Sequence, residues 1–441
     1  MKLLYVLFIL FIFPSCSFDN KTGIWENDDI SSKKNSQIFD DFKSISNDES
    51  SFNEVVQLKT NYSFKIPKKI YNKKWEDIYF NQFNNYVNFA YNESKNLIFK
   101  SKKISKYNLK KYFLYDQENL ILTDDKGNLI IFSINENQVI KKFNFYKKKY
   151  KKIKKDLNII IHESIIYVTD NIGYIYAIDY KKNKILWAKN IKIPFRSNLK
   201  ITNNKIIAAD ENNIIYLFDK NNGNLLKLLP TEETLIKNNF KSNFTLDKET
   251  IFMLNTYGSL YSINNKSNNI KWVVNLNQSL DVNPSNLFNG HTLVSNEKFI
   301  VVSSQDSTFI INSKNGSIIS KFNIISKTKP LIIGNNLFLL SSNNLFISID
   351  LETSEIIYSF KINKKMAEFL NIKEKLAIFE DIIVANNKIL ILLKNSYLAE
   401  FELTGELKNI FKLPTKIDSN LIFINNSILY LNHNNQLIVL G

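Results

Sequence analysis

From about residue 115 to the C-terminus, short apolar runs and polar turns succeed one another in a fixed order. The order is a strand, a polar turn, an alternating strand ending in Asp or Asn, a second turn, and a strand ending in an aromatic. GYIYAIDYKKNKILWAKNI, residues 173 to 191, shows the unit, with Trp187 on its last strand. NLIIFSINENQVIKKF, ending on Phe143, repeats it, as do IIYLFDKNNGNLLK, LYSINNKSNNIKW, FIINSKNGSIIS, LFISIDLETSEIIY and YLAEFELTGELKNIF, and QLIVLG closes the chain. The turn-opening residues Asn135, Asp179, Asp219, Asn264, Asn312, Asp350 and Glu402 are separated by 44, 40, 45, 48, 38 and 52 residues. That period, with four short strands in each unit, predicts an all-β fold of four-stranded antiparallel propeller blades. Radial packing of like neighbours buries the two apolar faces that each sheet exposes.

QLIVLG ends after the third strand of a unit, so its blade lacks an outermost strand. KNLIFKSKKI, residues 95 to 104, has the pattern of such a strand and completes the blade. Seven full units and this mixed one predict an eight-bladed ring. A seven-bladed ring is the second choice, because residues 56 to 95 and 360 to 395 align poorly with the repeat. In the turns, Asp179, Asp219 and Asp350 can bind their own backbone two residues on. Four residues later Gly223, Gly316 or Asn183 tolerates positive φ, Asn standing in where glycine is scarce. Trp187 and Trp272 are expected to pack between blades, a structural task.

Composition sharpens this picture. A chain of 441 residues exceeds one ordinary compact core, and 44% apolar and 13% aromatic residues supply a large β-rich body rather than a disordered one. Only 10 glycines occur, while Asn, Lys and Ile abound. A nucleotide bias toward Lys accounts for the +16 charge without a polyanionic partner, so no nucleic acid is expected. The single cysteine excludes an intramolecular disulfide and a multi-cysteine metal site.

That cysteine, Cys16, follows Lys2, an apolar run from Leu3 to Phe13, Pro14 and Ser15. The run is too short to span a bilayer and fits the apolar part of a secretory signal. The cleavage region resembles a bacterial lipoprotein signal, which implies removal of residues 1–15 and a lipid on Cys16. Ser17 then permits sorting to the outer membrane. Residues 17 to 55 hold nine acids against four lysines, with many Ser and Asn. Residues 16–60 are therefore read as a disordered, acidic tether with Trp25 as its one large hydrophobe, and residues 61–441 as the propeller.

Ala177, Asp179, Asn183 and Trp187 resemble the tryptophan-docking repeat of pyrroloquinoline-quinone-type propellers, with Asn in place of Gly. Ser262, Asn264 and Trp272 match next, then Ser348, Asp350 and Tyr358, whereas Lys227 and Ser320 stand where other copies lose the aromatic. Quinone-dependent dehydrogenases share this repeat. The resemblance would there imply a calcium site and a catalytic Asp, but no acidic cluster stands out on an inner strand and a vicinal disulfide is impossible.

Lipoprotein signal, tether and propeller together resemble the BamB family of outer-membrane β-barrel assembly lipoproteins. KWEDIYFNQFNNYVNFAYNESKNLIFKSKK, IPFRSNLKITNNKIIAADENNIIYLFD and the terminal NNQLIVLG carry the likeness. It implies a noncatalytic scaffold without cofactor on the periplasmic face of the outer membrane. Its partners would be the large subunit of the assembly complex and unfolded outer-membrane clients. Within IPFRSN, Arg196 is the expected partner contact, with Phe195 and Ile193 beside it. The alternatives are a quinone-dependent dehydrogenase and a propeller that binds polyanions or proteins generally.

KKKYKKIKK, residues 147 to 155, places seven lysines in nine positions, and is read as a solvated rim loop. His162, His291 and His433 lie far apart with no second ligand at i+2 or i+4, so no zinc site or Ser/His pair is indicated.

Overall fold

Why each unit closes into a four-stranded sheet is visible in the stretch Leu157–Asn190. Its first three strands, Leu157–His162, Ile165–Asp170 and Tyr174–Asp179, are buried on both faces. Its fourth, Lys184–Asn190, is exposed except at Trp187. Near-continuous Ile, Val and Tyr suit a strand covered on both sides, and alternating Lys suits an edge. The computed structural model describes residues 16–18, 25–27, 51–150, 152–233, 239–277 and 288–441. In it the unit recurs as eight four-stranded antiparallel sheets, the blades of a propeller. Their inner strands, in order from blade 1, are Leu114–Asp116, Leu157–His162, Lys200–Thr202, Asn243–Leu246, Val294–Ser295, Leu331–Ile333, Phe379–Ala385 and Ile422–Ile424.

The ring closes as the sequence predicts. Leu97–Lys100 lies beside Leu437–Leu440, so the two ends of the chain share blade 8 and its inner strand is Ile422–Ile424. Closure by a hydrogen-bonded ladder ties the first strand of the ring to the last, so this blade too has four strands.

The turns carry the expected chemistry. Asp179 Oδ1 accepts from Lys182 N at 2.9 Å, Asp219 Oδ1 from Asn221 N at 2.8 Å and Asp350 Oδ1 from Glu352 N at 2.8 Å. Four residues after the turn-opening residue, Asn183 and Asn268 take positive φ as Gly223 and Gly316 do, with Asn standing in for glycine in these turns. Trp187 Nε1 donates to Lys220 O of the next blade at 3.1 Å, and Trp272 Nε1 to Lys314 O at 3.0 Å. Each indole lies flat on the following turn. A Cβ on Gly223 would come within 2.4 Å of the Trp187 ring, and one on Gly316 within 2.6 Å of Trp272. Tyr358 does the same with its hydroxyl on Leu403 O at 2.8 Å.

One position of the repeat moves. In blade 1 the turn opens at Ser133, whose Oγ accepts from Glu136 N at 3.2 Å, rather than at Asn135. The docking residue is consequently Lys141, not Phe143: its Nζ reaches Tyr180 O at 2.5 Å and Lys181 O at 2.8 Å. A serine hydroxyl makes the same local turn as a carboxylate, and an ammonium supplies the donor that the indole supplies elsewhere.

Cys16–Phe18 pairs antiparallel with Trp25–Asn27, with Cys16 opposite Asn27. The signal peptide and the rest of the acidic stretch before residue 51 lie outside the described residues. The propeller unit begins at Ser51, ten residues before the boundary read from composition. Phe52 N donates to Asn323 O at 2.8 Å, Val56 exchanges backbone hydrogen bonds with Ser359 on the edge of blade 6, and the Tyr62 hydroxyl donates to Asp350 at 2.7 Å.

The chain then turns into the axis of the ring. Between Asn72 and Asn92 it makes a circuit of the inner wall and meets the blades in succession. Asn72 bonds Phe423 O and Asn425 N of blade 8. Trp75 exchanges backbone hydrogen bonds with Tyr115 of blade 1, and Glu76 O accepts from Ile161 N of blade 2. Asn81 O accepts from Lys200 Nζ of blade 3, Gln82 O from Leu246 N of blade 4, and Phe83 O from Ser295 N of blade 5. Asn85 forms a two-way amide pair with Ile332 of blade 6, Phe89 N donates to Val384 O of blade 7, and Asn92 N returns to Asn426 O of blade 8. Inner strand edges, which otherwise face an open channel, find partners here. Aromatic residues fill the centre: Phe89, fully buried, stacks on Phe423 at 5.1 Å and lies 4.8 Å from Phe80 and 5.5 Å from Trp75.

Candidate functional site

Alternating strand direction gives the ring two unlike faces. One carries the turns between the first and second and between the third and fourth strands of each blade, such as 425–426 and 180–183. The other, the crossover face, carries the connections from each outer strand to the next inner strand. The candidate site lies on the crossover face.

The loop from Ile191 to Leu199 connects blades 2 and 3, and it is zipped to its surroundings. Phe195 N donates to Asp170 O at 3.0 Å, Arg196 N to Ala209 O at 2.9 Å, and Glu211 N to Pro194 O at 2.8 Å. Ser197 Oγ accepts from Ala209 N at 2.8 Å. Phe195 is only 3% exposed and packs edge-on against Tyr216 and Phe218. Its side chain is thus committed to the interior, which differs from the contact role expected for it. Ile193 and Arg196 are half-buried. Burial works against the Arg196 guanidinium charge, and the nearby carboxylates of Glu211 and Asp156 offset it.

Asp156 links this loop to the axial mouth. Lys110 Nζ lies 3.0 Å from its carboxylate, and Lys241 Nζ pairs with the other oxygen. Burial alone would raise the Asp156 carboxyl, but Lys241 and Lys110 hold it below its ordinary value. The two carboxylates that favour the Arg196 charge lie on either side of it in the chain, Glu211 15 residues later and Asp156 40 residues earlier, the latter brought near by the turn of the ring.

Inside the mouth, Ile78 and Tyr79 of the axial segment form the floor of a cup of 550 Å³, with Tyr112, Phe240, Asn158 and Thr292 on its walls. Beneath it lie groups isolated from water. Lys200 Nζ donates to Asp77 at 2.6 Å, and the ammonium is 1% exposed. Lys329 Nζ donates to Asn84 O at 2.9 Å and sits 3.6 Å over the Tyr86 ring, and burial lowers it to about 8. Tyr86 donates to Asp381 at 2.8 Å, whose carboxyl burial raises.

Other sequence-derived candidates fall elsewhere. Ala177, Asp179, Trp187, Asp219, Gly223, Trp272, Gly316 and Asp350 serve the blades and their turns, as described. In the lysine run, Lys147, Lys148, Lys152 and Lys154 are exposed on the crossover face, but Lys155 is 1% exposed and its ammonium caps Ile153 O at 2.6 Å. His291 Nε2 faces Ser326 O at 2.9 Å, and the histidines stay apart. Among the described residues no group of three or more His, Cys, Asp or Glu is placed to hold a metal ion, and no described helix is long and apolar enough to cross a membrane. The side chain of Cys16 lies outside the described residues.

Two features escaped the sequence reading. The poorly aligned region after residue 360 contains a helix, Ile362–Leu370, on the crossover face between blades 6 and 7. The axial segment was noted only as family likeness. Its signal is aromatics at every third position, Phe80, Phe83, Tyr86 and Phe89, interleaved with Asn81, Asn84, Asn85 and Asn88. That period fits neither helix nor strand.

Residues 151–360 match the family model described as outer membrane protein assembly factor BamB. No curated protein matches the chain. Among solved structures, BamB from Moraxella catarrhalis is similar over 78% of this chain and 99% of its own, at 12% identity and a TM-score of 0.61. The quinohemoprotein alcohol dehydrogenase of Comamonas testosteroni is similar over 83% of this chain and 80% of its own, at 8% identity and 0.60. The computationally designed Ika8 protein covers 77% of this chain and 98% of its own, at 9% and 0.56. At these identities the structures establish the fold alone.

Proposed function

We propose that this BamB-like propeller is a noncatalytic scaffold of the outer-membrane β-barrel assembly machinery. It is held by a lipid on Cys16, faces the periplasm, and docks on the large assembly subunit through the Arg196 loop. The observation that carries the reading is the family match over residues 151–360, a span that contains this loop. The loop's rigidity fits the task, because a contact already held by backbone hydrogen bonds loses little entropy on docking. The dehydrogenase alternative draws less support. The aromatic segment Asn72–Asn92 occupies the middle of the ring axis, and the described residues lack a metal-holding cluster there.

Affinity purification of the tagged full-length chain from gently solubilised membranes tests this. The large assembly subunit is expected to accompany it, and Arg196→Glu should cut recovery at least tenfold, a loss of about 2 kcal/mol typical of a central charged contact. Undiminished recovery with Arg196→Glu would remove Arg196 from the interface; absence of the subunit from intact complexes would remove the function. The lipid is tested separately. Cys16→Ser is expected to move the protein from the membrane fraction to the soluble periplasmic fraction, and wild-type protein that takes up no palmitate label would refute the anchor.

A further inference from the structure

The axial segment closes the channel from within, but it stops short of the crossover face, and what remains above it is a cup with a floor. From this geometry we propose that the cup is a binding site for an extended peptide that carries an aromatic side chain and a carboxylate. The proposal stands apart from the assembly reading.

Three observations converge on that chemistry. The first is size: 550 Å³ lies within the range of about 300–1,000 Å³ typical of ligand pockets. The second is the wall. Tyr79 and Tyr112, which are only partly buried, line it and already meet edge-to-face at 5.4 Å, so a further aromatic finds matched partners, while Phe240 behind them is 5% exposed and packs on Phe288. The third is charge. Lys110 and Lys241 converge on one carboxylate, that of Asp156, while Lys111 on the rim is paired with Glu380 at 3.0 Å. Asp156 shows what these ammoniums hold. Two cations around one anion leave a positive balance and spare donors for a second carboxylate.

The strand edge argues for a peptide rather than a small acid. Ile161 N donates to Glu76 O across the inner edge of blade 2. The antiparallel bridge between Asp77 and Ile160 engages the C=O of Ile159 with the axial segment as well, and strand alternation turns the remaining N–H of Ile159 and the C=O of Leu157 to that same edge, nearer the mouth and on the wall of the cup. A peptide laid there continues the strand addition that the axial segment begins, with alternate side chains in the cup.

The test uses the intact propeller and a fluorescently labelled octapeptide of alternating phenylalanine and aspartate, read by anisotropy at physiological salt. A companion peptide has asparagine for each aspartate. The acidic peptide is expected to bind at least tenfold more tightly than its companion, and Lys110→Ser/Lys241→Ser should abolish that preference. Both lysines are solvent-accessible, at 29% and 44%, so the fold survives the change, as thermal melting will verify. Lys147→Ser/Lys148→Ser removes equal charge from the same face and should leave binding unaltered. Tyr112→Ala should weaken both peptides about fivefold. Equal loss in both lysine pairs would reduce the site to general charge attraction and overturn the proposal. So would binding that the mouth variant leaves intact.

Discussion

Phe89→Ala is expected to destabilise the whole ring by about 3–5 kcal/mol, the cost of emptying a fully buried phenylalanine site. The residue is 0% exposed and touches four aromatic neighbours, Trp75, Phe80, Tyr86 and Phe423. Aromatic pairs contribute about 0.5–1.5 kcal/mol each beyond area burial, though not additively. Removal of the ring therefore loosens the segment along its length. The distinctive part of the expectation is spatial. Because Asn72–Asn92 bonds the inner strands of all eight blades, amide exchange should quicken at Tyr115, Ile161, Leu246 and Ser295 together, not only in blade 7 where Phe89 N is bonded. Chemical denaturation gives the magnitude and hydrogen exchange the pattern. Exchange that quickens in blade 7 alone would show the segment to be a passenger in a self-sufficient ring.

This segment also marks how far the sequence was legible. The blades were, because each depends on local rules repeated along the chain: an Asp or Asn opening a turn, Gly or Asn with positive φ four residues later, and an aromatic docked on the next turn. Even the exception at Ser133 and Lys141 obeys the same chemistry with other donors. Closure was legible because a strand was missing at one end and present at the other. The axial segment was not, because its meaning lies in partners on eight blades, spread over residues 115 to 426. Its asparagines resembled compositional bias until Asn84 was seen to give one hydrogen bond to Phe244 O and another to Leu293 O, joining blades 4 and 5. In the candidate site the loop that holds Arg196 was legible as a connection between blades. The tie from Asp156 to Lys110 and Lys241 required the ring to bring residues 110, 156 and 241 together.

Asp77→Asn is the second large effect expected. It keeps the shape of the side chain, and its amide oxygen can still accept from Tyr79 N as Oδ1 does at 2.8 Å. What disappears is the charge opposite Lys200, whose ammonium is 1% exposed and also donates to Asn81 O at 2.7 Å. Leaving one member of a buried ion pair uncompensated typically costs about 3–5 kcal/mol, whereas replacing both by apolar groups is often neutral or better. Lys200→Met in the Asp77→Asn background is therefore expected to recover most of the loss, with about 1 kcal/mol retained for the unpaired Asn81 O. The pH dependence has a definite sign. Burial lowers the Lys200 ammonium, and Asp77 opposes that. Without Asp77 the folded protein holds this proton less tightly still, so over the alkaline range the unfolded chain binds more protons than the folded one. Stability of the variant must then rise with pH relative to wild type, and the gap between them should narrow from about pH 7 to about pH 10. A gap that is constant across that range would mean that the Asp77 charge does not act through Lys200, and that the variant's loss comes from the Tyr79 turn alone.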